Sequence, residues 1–310
     1  VLLQLVLPLI GLSVLFWLLA FAPGDKHHQP ALLEMSVILR DGDGNVSAMR
    51  KGMEQAAKDL NVELRFLTPA EDNSAVEQVQ LLEHEVSGAA PAILLIPADR
   101  EALGEAVSAA AGKTTLVTVE SDMTAWGADA SISMDHQALG EALGKAALNG
   151  VSFGGTVLLL DSLLVDNGAR ERMEAAKALL EEKGRQVRIY RWTSDSTAFA
   201  NILRIERPKA VIAFEAAALT EMAELSRGEE AFPLLYGCGS TAGIAAALEK
   251  GRVTAIAAVN VFSAGYLAVE AAAKLARHES WTGASSVGFS IVRQETMYSS
   301  DNQKLLFPVT

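Results

Sequence analysis

The sequence predicts two doubly wound α/β lobes joined by a hinge of several strands, preceded by an apolar N-terminal helix. Three observations predict it. Short apolar runs alternate with amphipathic stretches along the chain, and this rhythm occurs twice in series. The runs are continuously apolar, as in strands covered by helices on both faces. Strand-helix alternation of this kind gives parallel sheets with right-handed crossovers.

The chain opens with the uncharged run Val1 to Pro23, in which Gln4 is the one strongly polar side chain. A bilayer core takes about 20 residues of helix, so the run is long enough to cross it. Ala20-Phe21-Ala22 has the spacing of a signal-peptidase site. Against cleavage stand Pro23 directly after it and a run longer than the roughly 7–15 residues of a usual signal core. The expectation is an uncleaved anchor or signal with a spacer over residues 1–30, and a working part outside the cytoplasmic membrane. With no initiator Met and no basic residue ahead of it, the segment gives no orientation signal.

The first series of elements reads Met35 to Leu39 then Val46 to Leu60, Val62 to Leu67 then Ser74 to Val86, Ala92 to Ile96 then Asp99 to Ala111, and Leu116 to Val119. The second reads Thr156 to Leu160 then Ala169 to Glu182, Val187 to Tyr190 then Thr197 to Ile205, Ala210 to Phe214 then Leu219 to Leu225, Leu234 to Gly237 then Thr241 to Leu248, and Val253 to Ala257. The connection between lobes is expected near Ser133 to His136. A further helix, Phe262 to Arg277, and a last strand, Val287 to Val292, follow. Chain crossing more than once between lobes gives the division 33–134 with 262–288 and 135–261 with 289–310, the plan of a clamp.

The 310 residues carry a net charge of -12, which argues against a nucleic-acid partner, since that wants a basic face. One cysteine, Cys238, excludes an intrachain disulfide framework and a CxxC metal site, and reads as a small buried hydrophobe.

In open α/β sheets ligands bind beyond the carboxyl ends of the strands. There the sequence places Asp41, Asp43 and Asn45; Asp99; Glu120; Asp135 at the crossover; Trp192; Glu215; Gly239; and Asn260. Carboxylates accept from several hydroxyls, and aromatic faces such as Trp192 and Phe214 stack on apolar ring faces. The set suits a polyhydroxylated or cationic small molecule. The competing role for any one carboxylate is a helix N-cap, for Asp99 in particular.

The order of these elements, with Arg170 in Ala169-Arg170-Glu171-Arg172 opening a helix, resembles the type I periplasmic sugar-binding proteins, the ribose-binding-like group related to LacI-type effector domains. Ile93-Leu94-Leu95-Ile96-Pro97-Ala98-Asp99, Ile132-Ser133-Met134-Asp135, Ala210-Val211-Ile212-Ala213-Phe214 and Tyr236-Gly237 carry the same likeness. The resemblance spans about Met35 to Gln294. It implies a sugar or polyol ligand, contacts from Arg170 and Glu120, an ABC permease or membrane sensor kinase as partner, and no enzymatic activity, cofactor or metal. It departs from the family where Gly239 stands for an aspartate, Val259 beside Asn260 for a glutamine, Glu215 at a position usually amide or acid, and glycine, Asn45 and Val46 for an aromatic pair.

The alternatives are a nucleotide-dependent Rossmann-like enzyme and a ligand-sensing domain with no transport role. For the first, Gly42-Asp43-Gly44 gives part of a dinucleotide fingerprint, but Ser47 stands at the third glycine and Thr68 where an acid should end the second strand. A calcium loop over Asp41, Asp43 and Asn45 fails at Val46 and Gly52. His27-His28 read as spacer, and His84, His136 and His278 are scattered, with no HExxH.

Overall fold

The computed structural model describes residues 31–40, 47–161, 167–193, 196–228 and 232–307. The apolar run Val1 to Pro23 and the spacer after it lie outside the described residues. Among those described, no helix is long and apolar enough to cross a membrane.

The first sheet holds β1 (Leu33–Ile38), β2 (Val62–Leu67), β3 (Ala92–Leu95), β4 (Thr115–Glu120) and β5 (Ala130–Ser133) in the order β2-β1-β3-β4-β5. All of its pairings are parallel. The second sheet has the order β11-β10-β9-β8-β6-β7, built from β6 (Thr156–Asp161), β7 (Gln186–Arg191), β8 (Ala210–Ala213), β9 (Leu234–Cys238), β10 (Ala255–Val259) and β11 (Phe289–Val292). Between the strands run α1 (Ser47–Leu60), α2 (Ala75–Ser87), α3 (Arg100–Ala110), α4 (His136–Leu148), α5 (Asn167–Glu182), α6 (Ser196–Glu206), α7 (Ala216–Leu225), α8 (Ala242–Glu249) and α9 (Val261–Ala276), and α10 (Ser300–Leu306) follows β11.

Central strands β3, β8 and β10 are buried along their whole length, while the edge strand β2 is mostly half-buried and the edge strand β7 largely exposed. This is why the central runs are unbroken in Ala, Val, Ile and Leu while β7 reads Gln-Val-Arg-Ile-Tyr-Arg. One apolar cluster spans the faces packed by α1 and α9 on the first sheet and by α4 and α5 on the second, and it continues through Met134, Val259 and Val287 where the chain crosses between lobes. Glycines bring the paired helices together. A side chain on Gly52 or Gly265 would strike the backbone of the partner in the α1–α9 pair, and one on Gly140 would strike the Arg172 carbonyl of α5.

Several details depart from the sequence reading, the unexpected C-terminal helix α10 among them. The stretch before the crossover is a strand, β5, and the stretch after it is a full helix, α4. The strand expected over Val253 to Ala257 lies over Ala255–Val259. The last strand, expected over Val287 to Val292, begins at Phe289 and runs antiparallel to β10. Val287 is spent elsewhere: its N–H donates to the Ser133 carbonyl at 2.8 Å, while Ser133 N–H donates to the Ser285 carbonyl at 2.9 Å. These bonds bind two of the crossing segments to each other.

Candidate functional site

The carboxyl ends of β1, β3 and β4 are fixed before any ligand enters. Gln78 on α2 is fully buried. Its amide donates to the carbonyls of Leu39 (2.9 Å) and Ile96 (2.8 Å) and accepts from Ala98 N–H (2.8 Å). One side chain thus satisfies three backbone groups left over where β1 and β3 end, as buried polar groups require. Nothing in an amphipathic helix pattern marks a glutamine for this role.

Arg40, directly after β1, reaches across to Glu120 at the end of β4. Its Nη1 lies 3.0 Å from Glu120 Oε2, and both side chains are less than one-fifth exposed. The reading of the sequence missed Arg40, because it concentrated on the acidic run that follows. Glu120 has φ of +70°, a conformation that costs a non-glycine residue roughly 1–2 kcal/mol. Its backbone is held there from the other side. Ser133 Oγ donates to the Glu120 carbonyl at 2.7 Å, and His136 Nε2 lies 3.0 Å from the same oxygen. A carbonyl only accepts, so this nitrogen carries the hydrogen.

The other expected contacts fall into three groups. Asp41, Asp43 and Asn45 lie outside the described residues. Asp99, Asp135 and Asn260 are helix N-caps, accepting from Glu101 and Ala102 N–H, from Ala138 N–H and from Ser263 N–H respectively. Of the remainder, Arg170 is exposed in the first turn of α5. Glu215 is half-buried at the start of α7 and makes no capping bond with its side chain. Gly239 has φ of +133°, and a Cβ there would meet Ile244 Cδ1 at 2.7 Å and Ala216 Cβ at 2.8 Å. Glycine is required at that turn, so the aspartate of the resembling family has no room here. Trp192 and Phe214, expected as stacking surfaces, are 6 % and 2 % exposed. Trp192 donates its indole N–H to Glu221 at 2.7 Å and sets its ring edge-on to Phe199.

Beside the crossing segments lies a cavity of about 300 Å³, lined by Ser121, Asp122, Ser133, Asp135, His136 and Ser286 among others. Arg100 of α3 and Glu171 of α5 also line it, 3.5 Å apart. Of the expected contacts among the described residues, Asp135 alone lines this cavity. Among the described residues there is no cluster of His, Cys, Asp and Glu able to hold a metal ion.

Residues 36–280 match the model of the periplasmic binding protein domain. The chain belongs to that family. No curated protein sequence matches it. Among solved structures it is similar to an ABC transporter solute-binding protein from Agrobacterium vitis with bound D-fucose, at a TM-score of 0.82 and 19 % identity, covering 88 % of this chain and 100 % of that one. A carbohydrate transporter solute-binding protein from Agrobacterium radiobacter in complex with D-arabinose aligns at 0.82 and 17 % identity, over 89 % and 99 % of the two chains. A structure described as the XylFII-LytSN complex aligns at 0.78 and 16 % identity, over 86 % and 99 %. At these identities the likeness is one of fold: two α/β lobes with the chain crossing between them.

Proposed function

We propose that this periplasmic binding protein works outside the cytoplasm, closing its two lobes on one neutral polyhydroxylated molecule, a sugar or sugar-like polyol. The lobes are residues 33–134 with 262–288 and residues 135–261 with 289–310. Ligand favours the closed form because only there do both rims touch it. Glu120 and Arg40 belong to one rim, Arg170 and Glu215 to the other.

The observation that carries the reading is the Arg40–Glu120 pair at the ends of two strands. A guanidinium beside a carboxylate presents donors and acceptors side by side, which suits neighbouring hydroxyls of a sugar ring. The pair is also neutral as a unit. A cationic ligand is therefore not needed to offset Glu120, and this favours a polyol over an amine. The sugars bound by the two Agrobacterium proteins of the same fold support the class.

In this reading the protein turns nothing over. It presents its closed shape to an ABC importer or to a membrane sensor, with residues 1–23 as the tether that keeps it near either one. A thermal-shift screen of sugars, polyols, nucleosides and amines tests the proposal. The expected result is stabilisation by one or a few neutral sugars; stabilisation by nucleotides or amines alone would overturn it.

A further inference from the structure

The ring of His136 sits where the two lobes meet. It is the first residue of α4, and it is 8 % exposed. Nε2 donates to the Glu120 carbonyl in the other lobe. The ring also lies against Gly168 in the first turn of α5, the turn that carries Arg170. A Cβ on Gly168 would come within 2.5 Å of His136 Cε1, 2.7 Å of Nε2 and 3.0 Å of Nδ1. Glycine there leaves the space that the imidazole fills.

Each neighbour of the ring matters to ligand closure. On one side is Glu120, whose left-handed backbone aims its carboxylate at Arg40 and its carbonyl at His136. On the other is the helix start that presents Arg170 to solvent. Ser133 shares the Glu120 carbonyl and is bonded in turn to Ser285 and Val287. Two polar side chains of one crossing segment thus converge on one peptide unit, and the second crossing segment is bonded to the first through Ser133.

We propose that His136 is the positioning residue of the clamp: seated on Gly168 of the second lobe, it holds the Glu120 peptide of the first, and so ties the orientation of the ligand carboxylate to the angle between the lobes. This rests on the reading of the molecule as a ligand-closing clamp. It adds that the ligand-free hinge equilibrium is set by the His136–Gly168 contact and not by the rims alone. His136 touches no ligand; it acts through Glu120.

The test measures the distance between lobes in the full chain, in detergent, without ligand. Labels go on Lys51→Cys and Lys183→Cys, both exposed and one in each lobe, while the buried Cys238 stays unlabelled. Four variants are compared: His136→Ala, His136→Gln, Gly168→Ala and the double variant His136→Ala with Gly168→Ala. His136→Ala removes one buried hydrogen bond across the hinge, so the open-to-closed ratio should change about three- to tenfold. Gly168→Ala should change it in the same direction by pushing the ring off the carbonyl. The double variant should match His136→Ala, because no ring remains to be displaced. His136→Gln, which keeps an N–H donor at the end of its side chain, should restore most of the wild-type ratio.

Additive effects in the double variant, or an unchanged ratio in His136→Ala, would overturn the proposal. Should Gly168→Ala fail to fold, the contrast between His136→Ala and His136→Gln decides alone. Equal shifts in those two would mean the imidazole acts only by packing. Because the readout needs no ligand, an error in the ligand class would leave these results standing, and a failed hinge result would leave the sugar screen intact.

Discussion

The rim of the first lobe is built from side chains already engaged, whereas the second lobe exposes the guanidinium of Arg170 beside residues engaged in its own fold: Asp135 and Asn260 cap helices and Trp192 bonds Glu221. Gln78 pins the ends of β1 and β3, Arg40 holds Glu120, and Asp99 closes the start of α3. Across the cleft Arg170 is exposed and takes no hydrogen bond or ion pair among the described residues. Trp192 and Phe214 of that lobe are turned into its core. The difference suggests a division of labour. On the proposed reading, the first rim is preorganised and loses little entropy on binding, while Arg170 would supply the second rim's charged donor to the ligand.

That comparison breaks most visibly at Gln78. Gln78→Ala leaves two carbonyls and one N–H buried without partners, at about 1–3 kcal/mol each. Chemical denaturation should show at least about 3 kcal/mol of lost stability, and affinity should fall with it as the strand ends loosen. A loss under about 1 kcal/mol would mean water replaces the amide and the rim is not pinned from within.

Arg170→Ala should show the opposite pattern. An exposed side chain contributes little to folding, so the melting temperature should hold. Binding measured by calorimetry should weaken by about 1.5–3 kcal/mol if the guanidinium makes a charge-assisted bond to ligand. Unchanged affinity would leave the second rim without its principal donor.

The pair at the first rim sharpens the contrast further. Glu120→Gln and Arg40→Gln should each weaken sugar binding by about 1 kcal/mol, and together by less than the sum, because each alone strands its partner. Additive losses would mean the two side chains act independently. The smallest effect belongs to Asp99→Ala, which removes an N-cap and should cost about 1 kcal/mol of stability while leaving affinity alone. A larger change in affinity than in stability would return Asp99 to the ligand.

Most of the architecture was legible because buried parallel strands must be apolar without interruption, and such runs stand out between helices of period 3.6. The segments at the crossover were not. Ala-Ser-Ile-Ser of β5 is short and half polar, because its serine hydroxyls donate to the Ser121 and Glu120 carbonyls at the end of β4. The helix after it is rich in Ala and Gly, small residues needed for its close approach to α5, and these blur any amphipathic stripe. Of the site, the carboxylates after each strand could be located, but not what each one does. Asp99, Asp135 and Asn260 look the same in sequence whether they cap a helix or contact a ligand. The roles of Arg40, Gln78 and His136 escaped notice because they depend on carbonyls and carboxylates brought near by the fold. The positive φ of Glu120 has no sequence signature at all, since glutamate is not a residue that favours it.

The central claim is that ligand closes the clamp. The most direct test is the label-to-label distance between Lys51→Cys and Lys183→Cys, followed while neutral monosaccharides are titrated and the sugar is assayed afterwards. The account predicts a saturable shortening of that distance with one sugar or a small group of them, with the sugar recovered unchanged. Binding at an unchanged distance, or consumption of the sugar, would contradict it.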